Sequence, residues 1–168
     1  MAAPIYTYSH PVLGDLKGRL STQPIISSTA EVVQFRSIPF ATVSARFRLA
    51  QGPLDSIPEK YDNRPSRDFT QYGYACPQIE QPRDAGGGDH GQDDVRKYDE
   101  FACLNCTVTV PRKALEGRLK DLPVMVYIHG GAFTEGAGHI SASHDTSRMV
   151  ALSLKEGTPV IMVNLGYR

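Results

Sequence analysis

The sequence predicts an α/β fold in which short strands precede a mainly parallel sheet. Two segments, residues 122–128 (LPVMVYI) and 158–164 (TPVIMVN), are nearly all apolar. Such runs are typical of strands that are covered on both faces. The residues between them have helical spacing, so the order is strand, turn, helix, strand. That order is a βαβ crossover, which joins parallel strands.

The segment between the two apolar runs predicts a helix of about 11 residues. Asp145 stands at its start as the expected N-cap, Lys155 lies in its last turn, and Gly157 takes the C′ position. Met149 and Leu152 lie three residues apart and share an apolar side. The helix therefore has a face that can pack against the sheet.

Before the crossover, the sequence predicts only short strands separated by glycine and proline. They cover residues 12–13, 16–20, 31–35 and 106–110. Residues 52–100 are irregular and rich in proline, and the run 84–94 (DAGGGDHGQDD) predicts a mobile surface loop.

Composition excludes several classes of function. The chain has 168 residues, with 18 Lys and Arg against 18 Asp and Glu, so its formal net charge is zero. Nucleic-acid and membrane-surface proteins need a basic excess, so we expect neither partner. No run approaches the roughly 18 apolar residues that a membrane span requires. The start MAAPIYTYSHPVLG lacks a basic region followed by an apolar one, so we expect no signal peptide and a cytoplasmic location. A mis-annotated start would instead allow secretion.

The segment Tyr127-Ile-His-Gly-Gly-Ala-Phe133 follows the first apolar run and carries the main chemical signal. Small residues let the backbone turn tightly and present N–H groups without an obstructing Cβ. A pair of such N–H groups can stabilise the negative oxygen that develops during acyl transfer. A tight turn that needs glycine only for a positive φ explains the same residues equally well.

Other chemistries have weaker support. Nucleotide binding is disfavoured because no G-x-x-x-x-G-K-[ST] motif occurs and Gly136-Ala-Gly138 lacks the third glycine of a dinucleotide fingerprint. The C-x-x-C pair, Cys103 and Cys106, has too few companions for zinc and lies in a strand-like segment. Two further groups lack metal-ligand spacing. They are Asp89, His90, Asp93 and Asp94, and His139, His144 and Asp145. We therefore expect no metal and no cofactor.

Four stretches of the chain resemble the type-B carboxylesterase family, the cholinesterase-like branch of the α/β-hydrolases. They are residues 33–41 (VQFRSIPFA) followed by Arg46-Phe47, residues 75–78 (ACPQ), residues 103–111 (CLNCTVTVP) and residues 122–133 (LPVMVYIHGGAF). Residues 160–168 (VIMVNLGYR) add a further match, and residues 40–47 (FATVSARF) are similar to filamentous-fungal members. The resemblance spans residues 10–168. It implies a partial α/β-hydrolase fold, made of the N-terminal strands and the first βαβ crossover of the central sheet.

The resemblance also implies roles for the glycine turn. Gly131 and Ala132 would supply two N–H donors of an oxyanion hole, and Gly130 would allow a close approach. His129 would orient the turn and would not act as a base.

Further positions gain a role only through the resemblance. Cys76 and Cys103 match two cysteines that form a disulfide in secreted members, although they would stay reduced in a cytoplasmic protein. Cys106 stands at the family's leucine position, which indicates a buried free thiol. Ser37 and Gly166 replace a usual glycine and a usual asparagine. Arg46 and Arg168 would be partners in structural ion pairs.

The catalytic triad of the family has no counterpart in the chain. The nucleophile lies in G-x-S-x-G, and no serine of the chain has glycine two residues before and after it. We therefore expect residues 1–168 to be the N-terminal part of a serine carboxylesterase domain, truncated before the nucleophile and inactive alone. The expected substrate of the whole enzyme is a small-molecule ester. The alternative is a non-catalytic scaffold or binding protein of the same family.

Overall fold

A computed structural model describes residues 4–25, 28–52, 67–79, 97–139 and 144–168. They form one mixed sheet with the strand order β1-β2-β3-β5-β7-β6. The short strand β4 lies outside this order and pairs in parallel with β2. The strands are β1 (Ile5–His10), β2 (Gly14–Ile25), β3 (Ser28–Pro39), β4 (Arg67–Asp68), β5 (Asn105–Pro111), β6 (Val124–Ile128) and β7 (Ile161–Leu165). The helices are α1 (Arg112–Leu115) and α2 (Ser147–Lys155).

The expected βαβ crossover is confirmed. Strands β6 and β7 pair in parallel, with Val124 opposite Ile161 and Ile128 opposite Leu165, and α2 connects them. The carboxyl ends of the two strands therefore lie side by side.

The prediction of a mainly parallel sheet is wrong for the described residues. Four neighbouring pairs, β1–β2, β2–β3, β3–β5 and β5–β7, are antiparallel. A short turn, residues 11–13, connects β1 to β2, and a turn this short can join only antiparallel neighbours. Residues 12–13, expected in a strand, lie in the turn between β1 and β2. Strand β1 itself was not predicted, because its alternating aromatic and polar residues contain few aliphatic side chains.

The prediction that 122–128 is covered on both faces is also wrong. Strand β6 is the edge of the sheet, and four of its five side chains are between 47% and 65% exposed. They are Val124, Met125, Val126 and Ile128. Helix α2 packs elsewhere: its Val150 and Ala151 join a buried cluster with Ala30, Val32 and Met162 of strands β3 and β7.

Polar contacts fix the start of α2 over the middle of the sheet. The N-cap residue is Thr146, one residue after the expected Asp145. The Thr146 hydroxyl lies 2.7 Å from the Thr109 hydroxyl of β5. Asp145 Oδ1 accepts hydrogen bonds from the Ser147 backbone N–H (2.9 Å) and from Gln34 Nε2 of β3 (2.8 Å). Its carboxylate thus serves the first turn from the position before the cap.

Two further apolar clusters complete the core. One joins Leu16, Val33, Phe35 and Phe69 on the opposite face of the first strands. The other joins Val43, Cys103 and Leu104, with Cys76 packed against it. Within the described ranges, no helix is both long and apolar enough to cross a bilayer.

Candidate active site

The glycine turn leaves the sheet where β6 and β7 end together. It begins at His129, directly after β6, and the residue two positions after the end of β7 is Tyr167. Because the two strands are parallel and in register, these two side chains meet beyond the carboxyl ends of the strands. Ligand sites of parallel sheets commonly lie at the carboxyl ends of the strands.

The backbone of the turn lies in the left-handed region over three consecutive residues. The φ angles are +134° at Gly131, +52° at Ala132 and +62° at Phe133. A Cβ on Gly131 would overlap the carbonyl oxygen of Glu135, so only glycine fits there. Each non-glycine residue in this region costs on the order of 1–2 kcal/mol. Such strain is concentrated at functional sites, where surrounding contacts hold the backbone in place.

The peptide plane between Gly130 and Gly131 is fixed by the His129 ring. His129 Nδ1 lies 2.8 Å from the Gly130 carbonyl oxygen, which can only accept, so Nδ1 donates. In a planar trans peptide the N–H points away from the C=O. The Gly131 N–H therefore points to the side opposite the His129 ring.

The next peptide plane, between Gly131 and Ala132, is fixed in the same way. The Gly131 carbonyl accepts from the backbone N–H of Thr134 (3.0 Å), that of Glu135 (3.1 Å) and the Thr134 hydroxyl (3.2 Å). The Ala132 N–H points away from these donors. Neither the Gly131 N–H nor the Ala132 N–H donates to another described residue. Two oriented N–H groups are thus available to a ligand.

Tyr167 holds the His129 side chain and backbone at once. The two rings stack with centroids 4.1 Å apart and an angle of 17° between their planes. The Tyr167 hydroxyl donates a hydrogen bond to the His129 carbonyl. His129 is only 5% exposed, and its Nε2 has no hydrogen-bond partner among the described residues. This geometry agrees with a histidine that orients the turn.

Gly136 lies next to the His129 ring, near its Nδ1 and Cε1 atoms. Here φ is +120°, and a Cβ would overlap both the Gly130 carbonyl and the His129 ring. The Gln78 side chain binds Gly136 twice: Gly136 N–H donates to Oε1 (2.7 Å) and Nε2 donates to the Gly136 carbonyl (2.8 Å). Gly136 therefore serves close packing here.

The position of Gly130 is compatible with the approach of a ligand. A Cβ built on Gly130 would meet no atom within 4 Å, so the space beside it is open. The Phe133 side chain is fully exposed. The Cα of Gly130 thus borders open space.

The three cysteines are thiols in this structure. Burial raises the pKa of the Cys103 thiol to about 12, and the neighbouring Cys76 thiol is the second-largest cause of this increase. Burial also raises the pKa of Cys106 to about 11, and Cys106 lies within the sheet on β5, as expected for a buried free thiol. The Cys76 and Cys103 side chains are in contact, and a disulfide between them stays a prediction.

The residues considered for metal binding have other contacts. His139 stacks on Tyr72, and His144 lies between the Tyr127 hydroxyl and the Ala137 carbonyl. Asp89, His90, Asp93 and Asp94 lie outside the described residues. In the part of the chain that the structure describes, no three His, Cys, Asp or Glu side chains form a group that could hold a metal ion.

The two arginines expected in ion pairs differ from each other. Arg46 pairs with Glu100 through Nε and Oε2, 3.2 Å apart. Arg168 instead donates to the Arg48 carbonyl at 3.1 Å. Only the first expectation is therefore confirmed.

Sequence reasoning missed the supporting roles of Gln78 and Tyr167. Both occur in stretches that carry the family resemblance, but no local pattern says what they contact. The parallel alignment of β6 and β7 could have indicated Tyr167, since it places the residues after both strands at one edge. Gln78 is 58 residues from its partner, and only the folded chain brings them together.

Comparisons with known proteins identify the family of the chain. The model of the carboxylesterase family matches residues 5–168. Lipase 1 of Yarrowia lipolytica is 36% identical over 134 residues, which cover 80% of this chain and 24% of that protein. Para-nitrobenzyl esterase of Bacillus subtilis is 38% identical over 101 residues, which cover 60% of this chain and 17% of that protein.

A solved structure of PNB esterase superposes with a TM-score of 0.59 and 29% identity, covering 96% of this chain and 27% of that one. The match supports a partial α/β-hydrolase fold. The chain spans about a quarter or less of the length of these relatives. With a family match that extends over nearly all of its length, the chain belongs to the carboxylesterase family.

Proposed function

We propose that the natural polypeptide carrying these residues is a serine carboxylesterase, and that residues 129–136 form its oxyanion turn. One observation carries the proposal: two successive peptide planes are fixed through their carbonyls, while the Gly131 and Ala132 N–H groups stay free of described partners. Ester hydrolysis is the chemistry of the family and agrees with the names of the relatives.

The proposed mechanism is acyl transfer. A serine activated by a histidine attacks the ester carbonyl, and the carbonyl oxygen becomes negative in the tetrahedral intermediate. The Gly131 and Ala132 N–H groups donate to that oxygen. Their peptide planes are already held by the hydrogen bonds to the Gly130 and Gly131 carbonyls. Removing one such donor typically lowers kcat by about 10²–10³-fold. The intermediate then expels the alcohol, which takes up the proton held by the histidine, and leaves an acyl-enzyme. Water attacks the acyl-enzyme with the same histidine as base, and this releases the carboxylic acid and the free serine.

Residues 1–168 contribute the turn but no triad, because none of their serines lies in G-x-S-x-G. The proposal therefore requires a nucleophile, an acid and a base from other residues of the natural polypeptide. In this fold they follow one another in the order Ser, Asp or Glu, His.

The test begins with the transcript. Sequencing it past the codon of Arg168 shows whether an in-frame G-x-S-x-G is present. We expect the polypeptide with that motif to hydrolyse p-nitrophenyl acetate or butyrate, and the 168-residue chain to show no rate above buffer. A motif-containing, folded polypeptide that hydrolyses no short- or medium-chain ester would favour the non-catalytic scaffold. Turnover by the 168-residue chain alone would contradict the assignment of the missing triad.

A matched pair of variants tests the turn itself. Gly131→Ala should lower kcat by about 100-fold or more, because the added Cβ displaces the Glu135 carbonyl and with it the two N–H groups. Gly117 also has a positive φ, +72°, but a Cβ there meets nothing. Gly117→Ala should therefore cost about 1 kcal/mol of stability and leave kcat unchanged. Equal activity of both variants would remove the turn from the mechanism.

A further inference from the structure

The Gln78 side chain binds Gly136 as a neighbouring strand would. Its amide accepts from the Gly136 N–H at 2.7 Å and donates to the Gly136 carbonyl at 2.8 Å. The same Nε2 donates to the Cys76 carbonyl at 3.0 Å, which ties the amide to its own segment. Both polar groups of Gly136 are thus satisfied by one side chain from a segment 58 residues earlier.

Gly136 packs against the oxyanion turn at the Gly130 carbonyl and the His129 ring. It lies so close to the Gly130 carbonyl and the His129 ring that any side chain would overlap them. The Gly130 carbonyl and that ring are the two groups that orient the Gly131 N–H. A shift of Gly136 would open space beside Nδ1 and Cε1 of that ring, next to the hydrogen bond between Nδ1 and the Gly130 carbonyl.

We propose that Gln78 is a positioning residue for ester hydrolysis: through Gly136 it holds the His129 ring and so fixes the direction of the Gly131 N–H. The inference rests on the proposed function. Gln78 touches neither N–H donor, so its effect is on their orientation. Loss of orientation weakens binding of the transition-state oxygen more than binding of the uncharged ester, and kcat falls while KM is nearly constant.

Two variants at position 78 separate orientation from folding. Gln78→Met keeps the length of the side chain and loses both hydrogen bonds to Gly136. Gln78→Glu keeps an acceptor for the Gly136 N–H, but the ionised carboxylate cannot donate to the Gly136 carbonyl. The protonated carboxylic acid has one donor and one acceptor, so it can reproduce both bonds to Gly136 but not the additional bond to the Cys76 carbonyl. Gln23→Met is the matched control, since the Ser21 hydroxyl is the one described hydrogen-bond partner of the Gln23 amide.

The assay uses the natural polypeptide with p-nitrophenyl butyrate, and a burst titration counts the active sites of each preparation. Per active site, we expect kcat of Gln78→Met to fall about 10-fold or more, less than the 10²–10³-fold loss from removing a donor. We expect its KM to change less than about 2-fold. Gln23→Met should match the wild type.

The pH profile gives the second readout. Relative to wild type at each pH, the kcat of Gln78→Glu should rise as pH falls from about 6.5 towards 4.5, since an ordinary glutamate protonates near pH 4.3. Groups shared by both proteins, such as His129 and Cys76, cancel in the ratio. Gln78→Met should show a flat ratio.

The possible outcomes are distinct. A wild type without esterase activity overturns the proposed function, and this inference falls with it. An active wild type overturns the inference alone if Gln78→Met keeps kcat per active site within 2-fold. The same follows if its whole loss is a loss of active sites, or if the Gln78→Glu ratio does not change with pH.

Discussion

Ser37 adopts a backbone conformation that glycine takes more easily. Its φ is +57°, and it lies where the pairing of β3 with β5 shifts register between Phe35 and Ile38. The family resemblance implies a glycine at this position, and the bulge gives the physical reason for it. The strand therefore tolerates a side chain in a region that disfavours one.

Ser37→Gly should stabilise the protein by roughly 0.5–1 kcal/mol. It removes the cost of a non-glycine residue at positive φ in the folded state, and the greater conformational entropy of glycine in the unfolded chain offsets part of that gain. The urea midpoint of the natural polypeptide measures the change. Ser44 is exposed and has an ordinary negative φ, so Ser44→Gly should destabilise slightly. A loss of stability in Ser37→Gly would contradict the strain.

Cys106 links stability to alkaline pH. Burial raises the pKa of its thiol to about 11 from 9.0. The folded state favours the neutral thiol, so this contribution is fully present below pH 9 and is lost as pH rises through 11. At most it amounts to about 2–3 kcal/mol.

The free energy of unfolding should therefore decrease between pH 9 and 11, and Cys106→Ala should decrease less steeply over the same interval. Tyrosines and lysines titrate in both proteins, so the difference in slope isolates Cys106. Parallel curves for the two proteins would show that the thiol ionises freely in the folded state.

At the scale of elements, the start of α2 is the clearest lesson about prediction. Sequence signals located the helix between two strands and placed Gly157 after its end, where φ is +72°. They misplaced the cap by one residue, because Asp145 and Thr146 are both good caps and the choice depends on Thr109 and Gln34 of other strands. Local chemistry predicts that a helix begins here, and tertiary contacts decide at which residue.

Asp145→Ala should destabilise the protein by about 1–2 kcal/mol, because it leaves the Ser147 N–H and the buried Gln34 amide without their shared acceptor. Asp145→Asn keeps an oxygen acceptor and should retain most of the stability. Thermal unfolding monitored by circular dichroism compares the three proteins. An alanine variant as stable as the asparagine variant would show that neither bond contributes.

The glycine turn shows a different limit of prediction. The residues His129 to Ala132 indicated the turn and its two N–H donors from composition and resemblance alone. Its supports, Gln78 and Tyr167, come from segments far along the chain and carry no local signature. Sequence therefore predicted which groups could act, and only the fold explains what holds them.

At the scale of the whole molecule, the sheet is unequally covered. The sequence suggested apolar strands buried on both faces. One face of β7 is buried and the other is half-buried, whereas β6 exposes most of its side chains. Periodicity reports how apolar a strand is and not which elements cover it. The mixed pairing escaped prediction for the same reason, since strand direction depends on connections between distant segments.

The exposed edge makes a prediction for the 168-residue chain expressed alone. An open strand with Val124, Met125, Val126 and Ile128 exposed pairs readily with other copies. We expect the chain to bind the dye ANS and to sediment as aggregates. Met125→Lys and Val126→Lys, placed on opposite faces of β6, should reduce both. A monomer with low dye binding and a sharp melt would contradict this expectation.

The stacking of Tyr167 on His129 has a consequence in time. The two residues are 38 positions apart, so a ribosome adding 5–20 residues per second makes Tyr167 roughly 2–8 s after His129. During synthesis the strained turn exists before its aromatic support. Tyr167 can therefore support the glycine turn only after β7 has left the ribosome and paired with β6.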